Sequence, residues 1–209
     1  MSKSNYRQMP RAWVQATWDD YLQTVRQFQD AKCYYYNGKL RIEMAPQGYD
    51  RSYDNFSIGY AVALLSGIKG IPLVGLTNCT FRKAGEGEYL AFYIGANAEI
   101  IPPGATVVDL DVYPPPDLVI EIAKTSFADD IGSKHMLYEQ LNFTEYSVVN
   151  VHHAQLIAFA IASGGSRPIA RSQVLPPLPF SLLEEVLRRG RTTGRSQIYA
   201  WLITQIQNI

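Results

Sequence analysis

The stretch 114–134, PPPDLVIEIAKTSFADDIGSK, holds residue types that can bind a cation or move a proton. Asp117 and Glu121 stand out first, because two carboxylates on one face can hold a divalent metal. In a strand, residues i and i+4 do share a face, but each residue advances the chain by ~3.3 Å, which separates this pair by ~13 Å. Oxygens that bind one Mg²⁺ must each come within about 2.1 Å of it. Asp117 and Glu121 therefore cannot share an ion on a regular strand. Asp117, following three prolines, reads as punctuation at the strand entrance. Glu121 sits between Ile120 and Ile122 in a run of buried-strand residues, where a carboxylate is costly unless it is paired or holds a cation. Ala123, on the same face, offers no partner, and Lys124 faces the other way. Lys134 is the next candidate, on a stripe of Ile131, Lys134, Tyr138 and Leu141 spaced as on a helix. The spacing leaves two placements open: snorkelling at the edge of the buried face, or pointing inward toward Glu121.

The elements that would position these residues can be read in order. TWDDYLQTVRQFQ (17–29) predicts a helix opened by a Thr17–Asp20 capping box, with Leu22, Val25 and Phe28 as its apolar stripe. CYYYNGKLRIEM (33–44) predicts a hairpin turning at Asn37-Gly38. FSIGYAVALLSGI belongs to a helix over 54–68, apolar nearly all round and so expected to be deeply buried. Strand-like runs follow at 72–83, 88–95 and 117–123, with ATVVDLDVYPPP as a turn-rich approach to the last. Residues 126–141 predict one helix, capped by Ser126, with Asp129 and Asp130 suited to its positive end. Two strands over 145–162, a short strand and loop, and two helices at 179–190 and 196–207 close the chain. A strand–helix–strand passage over 117–151 points to a parallel or mixed sheet crossed by a helix. The fold class is thus α/β (α+β), and the absence of repeats and linkers argues for one domain over 1–209.

Composition narrows the function classes. The chain has 209 residues, 47% hydrophobic and 18% charged, which is globular rather than disordered. Nineteen basic residues balance nineteen acidic ones, so any nucleic-acid contact must be a local patch rather than a global field. Two lone cysteines, Cys33 and Cys79, fit a reducing compartment and small core residues, not a zinc site. Neither a signal-peptide core nor a membrane-length apolar run is present, which gives a cytoplasmic expectation. His152 and His153 lie at a strand end, one expected inward and one outward.

The central block PPPDLVIEIAKTSFADDIGSKHMLYEQLNFTEYSVVNV resembles a large bacterial group of putative restriction endonucleases, formerly a domain of unknown function, within the PD-(D/E)XK nuclease superfamily. The likeness extends to YYYNGKLRIEMAPQGYD, LTNCTFRK, AFYIG and LLEEVLRRGRTTGRSQIYAWL. It implies a restriction-endonuclease-like mixed sheet flanked by helices. It also implies Mg²⁺-dependent hydrolysis of DNA, in which the metal lowers the pKa of the attacking water and stabilises charge on the phosphate. By this match Glu121 is the second acid of the site. Ala123 stands where the usual lysine would be, and Lys134, from the following helix, replaces it and points at Glu121.

The match also defines departures. The first acid belongs in a Pro-Asp before the aromatic run of AFYIG, where this chain has Glu88 and Tyr89. Adjacent strand residues face opposite sides, so Glu88 can join the metal ligands only through a bulge or a slipped register. Tyr34 stands near a place in the first hairpin where a Glu is usual, and Arg51 where a His is usual at the head of the second helix. With Glu121 as the one certain acid, Mg²⁺ would be held weakly. The expected sites are thus Glu121 and Lys134 for catalysis, Glu121 with Glu88 for metal, and Arg51, Arg82, Lys83 and Lys124 for DNA phosphates. The expected function is a Mg²⁺-dependent endonuclease of reduced power, homodimeric as nucleases that cut both strands commonly are. The alternative is an inactive homologue that binds nucleic acid or a protein. For the RRGRTTGR run (188–195), a solvated turn between helices competes with phosphate contact.

Overall fold

In the computed structural model, the described residues are 12–28, 31–44, 48–82, 88–95, 97, 100–101, 104, 107–124, 126–175 and 178–209. A small sheet comes first. Strands β1 (Val14–Gln15), β2 (Ala31–Tyr36) and β3 (Lys39–Met44) pair in the order β1-β3-β2. The β2–β3 turn has Asn37 at φ 49° and Gly38 at φ 70°, the paired left-handed conformation that an Asn-Gly hairpin requires. Helix α1 (Trp18–Gln27) packs on this sheet, and its Thr17–Asp20 capping box is formed on both sides. Its buried residue is Tyr21, stacked on Trp18, whereas Val25 of the expected stripe is exposed. The aromatic packing of Trp18, Tyr21 and Tyr35 rotates the helix away from the aliphatic stripe.

Among the described residues the main sheet has seven strands in the order β10-β9-β8-β7-β5-β4-β6. These are β4 (Leu73–Arg82), β5 (Glu88–Ile94), β6 (Val107–Asp109), β7 (Leu118–Ala123), β8 (Glu145–Asn150), β9 (Gln155–Ala162) and β10 (Gly165–Ile169). Strands β7 and β8 run parallel, and so do β4 and β6; the other pairs are antiparallel, so the sheet is mixed. Strand β6 lies inside the segment expected to be only turn-rich. Asp117 does mark the entrance to β7: its carboxylate accepts hydrogen bonds from the Ile94 amide and from Asn97, tying the end of β5 to the start of β7.

Every residue of β7 and β8 is buried, because both faces of the sheet are covered. On one face Leu118, Ile120 and Ile122 meet α2 (Tyr49–Lys69), α5 (Phe180–Gly190) and α6 (Arg195–Gln207). Helix α2 begins five residues before the expected start and buries only one side. Phe56 and Ile68 remain exposed, so it is not enclosed all round. On the opposite face Val119 and Ala123 meet Tyr34 of the hairpin and the helices α3 (Phe127–Asp130) and α4 (Ser133–Gln140). Sequence reading joins these two helices into one over 126–141. The chain instead breaks at Ile131-Gly132, which leaves Ile131 of the expected stripe exposed while Lys134, Tyr138 and Leu141 are buried. His152 and His153 lie in the turn after β8, both exposed rather than one in and one out; Asn150 caps their amides.

The RRGRTTGR run serves the scaffold. Arg188 and Arg189 pair with Glu185, Arg189 also lies over the Trp201 ring, and Arg191 bonds the buried Asp54 of α2 and the Val151 carbonyl. Burial raises the Asp54 carboxyl above its ordinary value, and the Arg191 guanidinium opposes this. Next to this junction, a Cβ on Gly190 would stand 2.6 Å from Cε1 of the buried Tyr53. Gly190→Ala should therefore destabilise the chain by roughly 1–3 kcal/mol through overpacking between α5 and α2. Urea unfolding measures this, and a variant as stable as the parent would show that the contact relaxes freely.

Candidate functional site

Strand β7 alternates, so Glu121 shares a face with Val119 and Ala123, on the hairpin side of the sheet. Its carboxylate is 3% exposed. Helix α4 crosses that face and brings in Lys134, which is fully buried. Lys134 Nζ lies 3.7 Å from Glu121 Oε1, 3.0 Å from Glu43 Oε1 and 2.8 Å from Asp130 Oδ1. The ring of Tyr34 covers the ammonium, its centroid 4.2 Å from Nζ. One lysine is thus held by three carboxylates, each from a different element.

The local structure explains each arrival. In the hairpin, Tyr34 pairs with Arg41, so Tyr34, Arg41 and Glu43 share the face turned toward α4, while Leu40 packs with α1 on the other. Arg41 Nε donates to Glu43 Oε1 at 3.0 Å and holds it. Asp130 ends α3 and stands four residues before Lys134. Across the turn at Ile131-Gly132 both face the sheet. Ser126 Oγ donates to Asp130 Oδ2, and Tyr146 OH donates to the Asp130 carbonyl. Tyr138, one turn after Lys134, donates its hydroxyl to Glu121 Oε1 at 2.7 Å. Ser126 thus serves the Asp130 carboxylate as well as standing at the helix start.

Magnitudes show why the lysine stays charged. Burying an ammonium costs several kcal/mol. At the effective dielectric that suits protein ion pairs, one carboxylate at 3 Å returns about 5 kcal/mol. A single partner would roughly break even, whereas three decide the matter. Burial pulls the Lys134 pKa down, but the charges of Glu121, Asp130 and Glu43 outweigh it and hold the group above its ordinary value. Burial acts upward on Glu43, yet Lys134 and Arg41 hold that carboxyl below its usual range. Asp130 goes the other way. Burial, reinforced by the charge of Glu121, outweighs Lys134 and pushes its carboxyl up to about 6. Burial also keeps the Tyr34 and Tyr146 hydroxyls protonated well beyond their usual range. Ionised, three carboxylates face the two positive charges of Lys134 and Arg41, and Asp130, whose carboxyl is raised to about 6, is the one that takes up a proton first as pH falls. An ammonium so held cannot accept a proton; Lys134 can act electrostatically or as a proton donor.

Mg²⁺, implied by the sequence resemblance, does not fit this arrangement. The carboxylate oxygens converge on the ammonium at 2.8–3.7 Å rather than leaving a centre for a smaller ion. A divalent ion among them would lie against a buried like charge. Among the described residues, no three His, Cys, Asp or Glu side chains form a group that could hold a metal.

Of the sequence-predicted residues, Glu121 and Lys134 are brought together. Glu88 lies in β5 opposite Thr80, and Tyr89 opposite Cys79; the side chains of both are outside the described residues. So are those of Arg82 and Asp129, and the whole of Lys83. Arg51 stands in the first turn of α2, half-buried, and its charge bears on the Tyr34 hydroxyl. Lys124 is paired with Asp50 at 2.9 Å in a partly exposed bridge, a kind of pair worth little to stability. Sequence reading missed Glu43 and Asp130. The alternation in KLRIEM, which sets Leu40 and Ile42 against Arg41 and Glu43, was the available signal for Glu43. The i,i+4 spacing of Asp130 and Lys134 was the signal for the other. Glu43, on the strand paired with that of Tyr34, supplies one of the carboxylates around Lys134.

The sequence profile of the Uma2 family, described as putative restriction endonucleases, matches residues 18–194, which is most of the chain. The chain belongs to this family. The Uma2 match covers the hairpin, both central strands and the α3–α4 passage, and so every group around Lys134. A crystal structure of a putative nuclease of the DUF820 family from Anabaena variabilis superposes with a TM-score of 0.56. It is 15% identical, and the alignment covers 82% of this chain and 98% of that one. At that identity the likeness shows the fold, which is nuclease-like and of the α+β class. No curated protein matches the chain.

The raised Asp130 pKa sets a pH dependence. The folded state binds this proton more tightly than the unfolded state, where the ordinary value is 3.8. The stabilisation is therefore complete below about pH 4 and is lost as pH rises through about 6. Asp130→Asn, which cannot ionise, should gain stability relative to the parent between pH 4 and pH 7, by on the order of 1–3 kcal/mol. Urea midpoints across that range report it; parallel curves for the two proteins would contradict the assignment.

Proposed function

We propose that this chain is a nucleic-acid-binding member of the nuclease family in which phosphodiester cleavage is impaired. The observation that carries the reading is the Lys134 ammonium, buried among Glu43, Glu121 and Asp130 under the Tyr34 ring. In the nucleases that the sequence resembles, acids hold a metal and a lysine assists the attacking water. Here the acids are engaged by the lysine itself, and Tyr89 stands where the first acid belongs. A shielded ammonium also has no path to a phosphate. Family membership supports DNA as the partner. Arg51, beside the cluster, with Lys124, Arg82 and Lys83 are the proposed phosphate contacts, and a homodimer in the cytoplasm completes the proposal.

One observation favours a second reading, a Mg²⁺-dependent endonuclease with Glu121 and Lys134 as catalytic groups and Glu88 recruited to the metal. The three carboxylates exceed the positive charge that Lys134 and Arg41 supply, so the cluster retains some attraction for a cation.

Incubation of the purified chain with supercoiled plasmid and single-stranded DNA in Mg²⁺ or Mn²⁺ separates the two. The first reading predicts no cutting beyond that of Glu121→Ala, together with DNA binding that weakens as salt rises. Replacing any one of the four basic residues by Ala should make the slope of log affinity against log salt shallower by about one. Cutting that Glu121→Ala abolishes would establish the second reading, and DNA binding indifferent to salt would remove the proposed phosphate contacts.

A further inference from the structure

We infer that the outward face of α2 and α6 is the surface through which this chain pairs with a second copy of itself. This deepens the homodimer of the proposed function and rests on it. Residues 55–68 of α2, and residues 196–209 with nearly all of α6, hold no Asp, Glu, Lys or Arg, although such residues make up 18% of the chain. Both helices keep one side toward solvent, where a surface helix ordinarily carries its charges. The neighbouring α5 does so, with Glu185, Arg188 and Arg189. On α2 the outward positions fall in two rows. Phe56, Tyr60 and Leu64 form a ridge, and Gly59, Ala63 and Gly67 run beside it as a groove. Phe56 is 54% exposed, its ring lies 6.1 Å from that of Tyr60, and Tyr60 meets Tyr199 of α6 at 4.2 Å. Glycine inside a helix costs stability, yet a Cβ on Gly59 or Gly67 would meet no packed atom within 4 Å. Among the described residues, nothing uses the room these glycines leave.

A second copy is the occupant that this face fits. A two-fold contact sets a patch against itself, so any charge near the axis would face its own like; a neutral patch removes that repulsion. A ridge beside a groove is also complementary to itself, since the ridge of each copy can enter the groove of the other. The centre is aromatic and uncharged, while Lys69 ends α2 and Arg189 lies over Trp201 at the margin, the division that specific interfaces show. The uncharged stretch of each helix runs about 20 Å, and two helices side by side are about 20 Å across. With side-chain relief, such a patch supplies on the order of 600 Å² per partner, the lower end for a specific interface. Nucleic acid would need cations here to meet its phosphates, and residues 55–68 and 196–209 supply none. A helix lying on a lipid surface has a charged face behind its apolar one. Behind this face of α2 is the core, with Ile58, Val62 and Leu65.

The test follows the mass of the full chain by light scattering across about 1–100 µM. The parent should reach twice the mass of one chain within that range. Ala63→Glu puts a good helix former at an exposed position and sets like charges together across the two-fold. It should weaken association by roughly tenfold or more with an unchanged circular dichroism spectrum. Met136→Glu, at an exposed apolar position on α4, should associate as the parent does. Where Ala63→Glu does not fold, hydrogen exchange of the parent decides: amides of 56–67 and 199–204 should exchange faster once dilution gives monomer. Three results overturn the inference: a parent that is monomeric throughout, a folded Ala63→Glu that associates as the parent does, or exchange in α2 and α6 that ignores dilution of a dimer. A monomeric parent that binds neutral lipid vesicles would overturn it in favour of a lipid surface. A monomeric parent also removes the homodimer from the proposed function, whereas a dimer indifferent to Ala63→Glu overturns this inference alone. No readout here uses DNA, so plasmid cutting that sinks the impaired-nuclease reading leaves the inference standing.

Discussion

A protein interior cannot hold a lone ammonium, and the hairpin side of this fold is arranged around that constraint. Lys134 is fully buried yet remains charged, because three carboxylates reach it and an aromatic face covers it. Each partner alone would roughly cancel the cost of desolvation. Only their convergence makes the charged form the stable one. The cluster therefore ties the hairpin, the central strand and the α3–α4 passage into one unit: displacing any one of them leaves a charge exposed to a low dielectric.

The elements meet that demand by distinct means. The parallel β7–β8 pair buries the sheet on both faces and delivers Glu121 at its centre. The Asn37-Gly38 turn fixes the hairpin register, which puts Tyr34 and Glu43 on the same face. Asp130 and Lys134, four residues apart across the turn at Ile131-Gly132, face the sheet together. On the far side of the sheet Arg191, Asp54 and the Gly190–Tyr53 contact position α5 against α2. That side is apolar packing with structural ion pairs, and its arginines are engaged with Glu185, Asp54 and Trp201.

Half of the candidate site is legible in the sequence. A carboxylate in the middle of an apolar strand demands a partner, and that demand alone singles out Glu121. Lys134 follows from helical spacing together with the family resemblance. Most of the elements are also readable, from the capping box at Thr17 to the hairpin at Asn37-Gly38, because their signals are local. Glu43 and Asp130 are not, for different reasons. Glu43 acts across the hairpin, and its contact depends on how that hairpin packs on the main sheet, a long-range fact. Asp130 looks like a charge complementing a helix start, and its i,i+4 spacing to Lys134 marks it as a partner only once Lys134 is known to point inward. The burial of α2 is overestimated from sequence because its composition is apolar while its neighbours cover one side only.

The chain belongs to the Uma2 family and has a nuclease-like fold, and its distinctive feature is how the cluster around Lys134 is charged. The most direct measurement is the titration of the Lys134 side chain by NMR, following its ¹³Cε and ¹⁵Nζ shifts as pH is raised. The cage geometry predicts an ammonium that persists above the ordinary lysine value of 10.5, in slow exchange with solvent. A midpoint below that value would show that burial outweighs the carboxylates and that Lys134 is not the cation around which this face is organised.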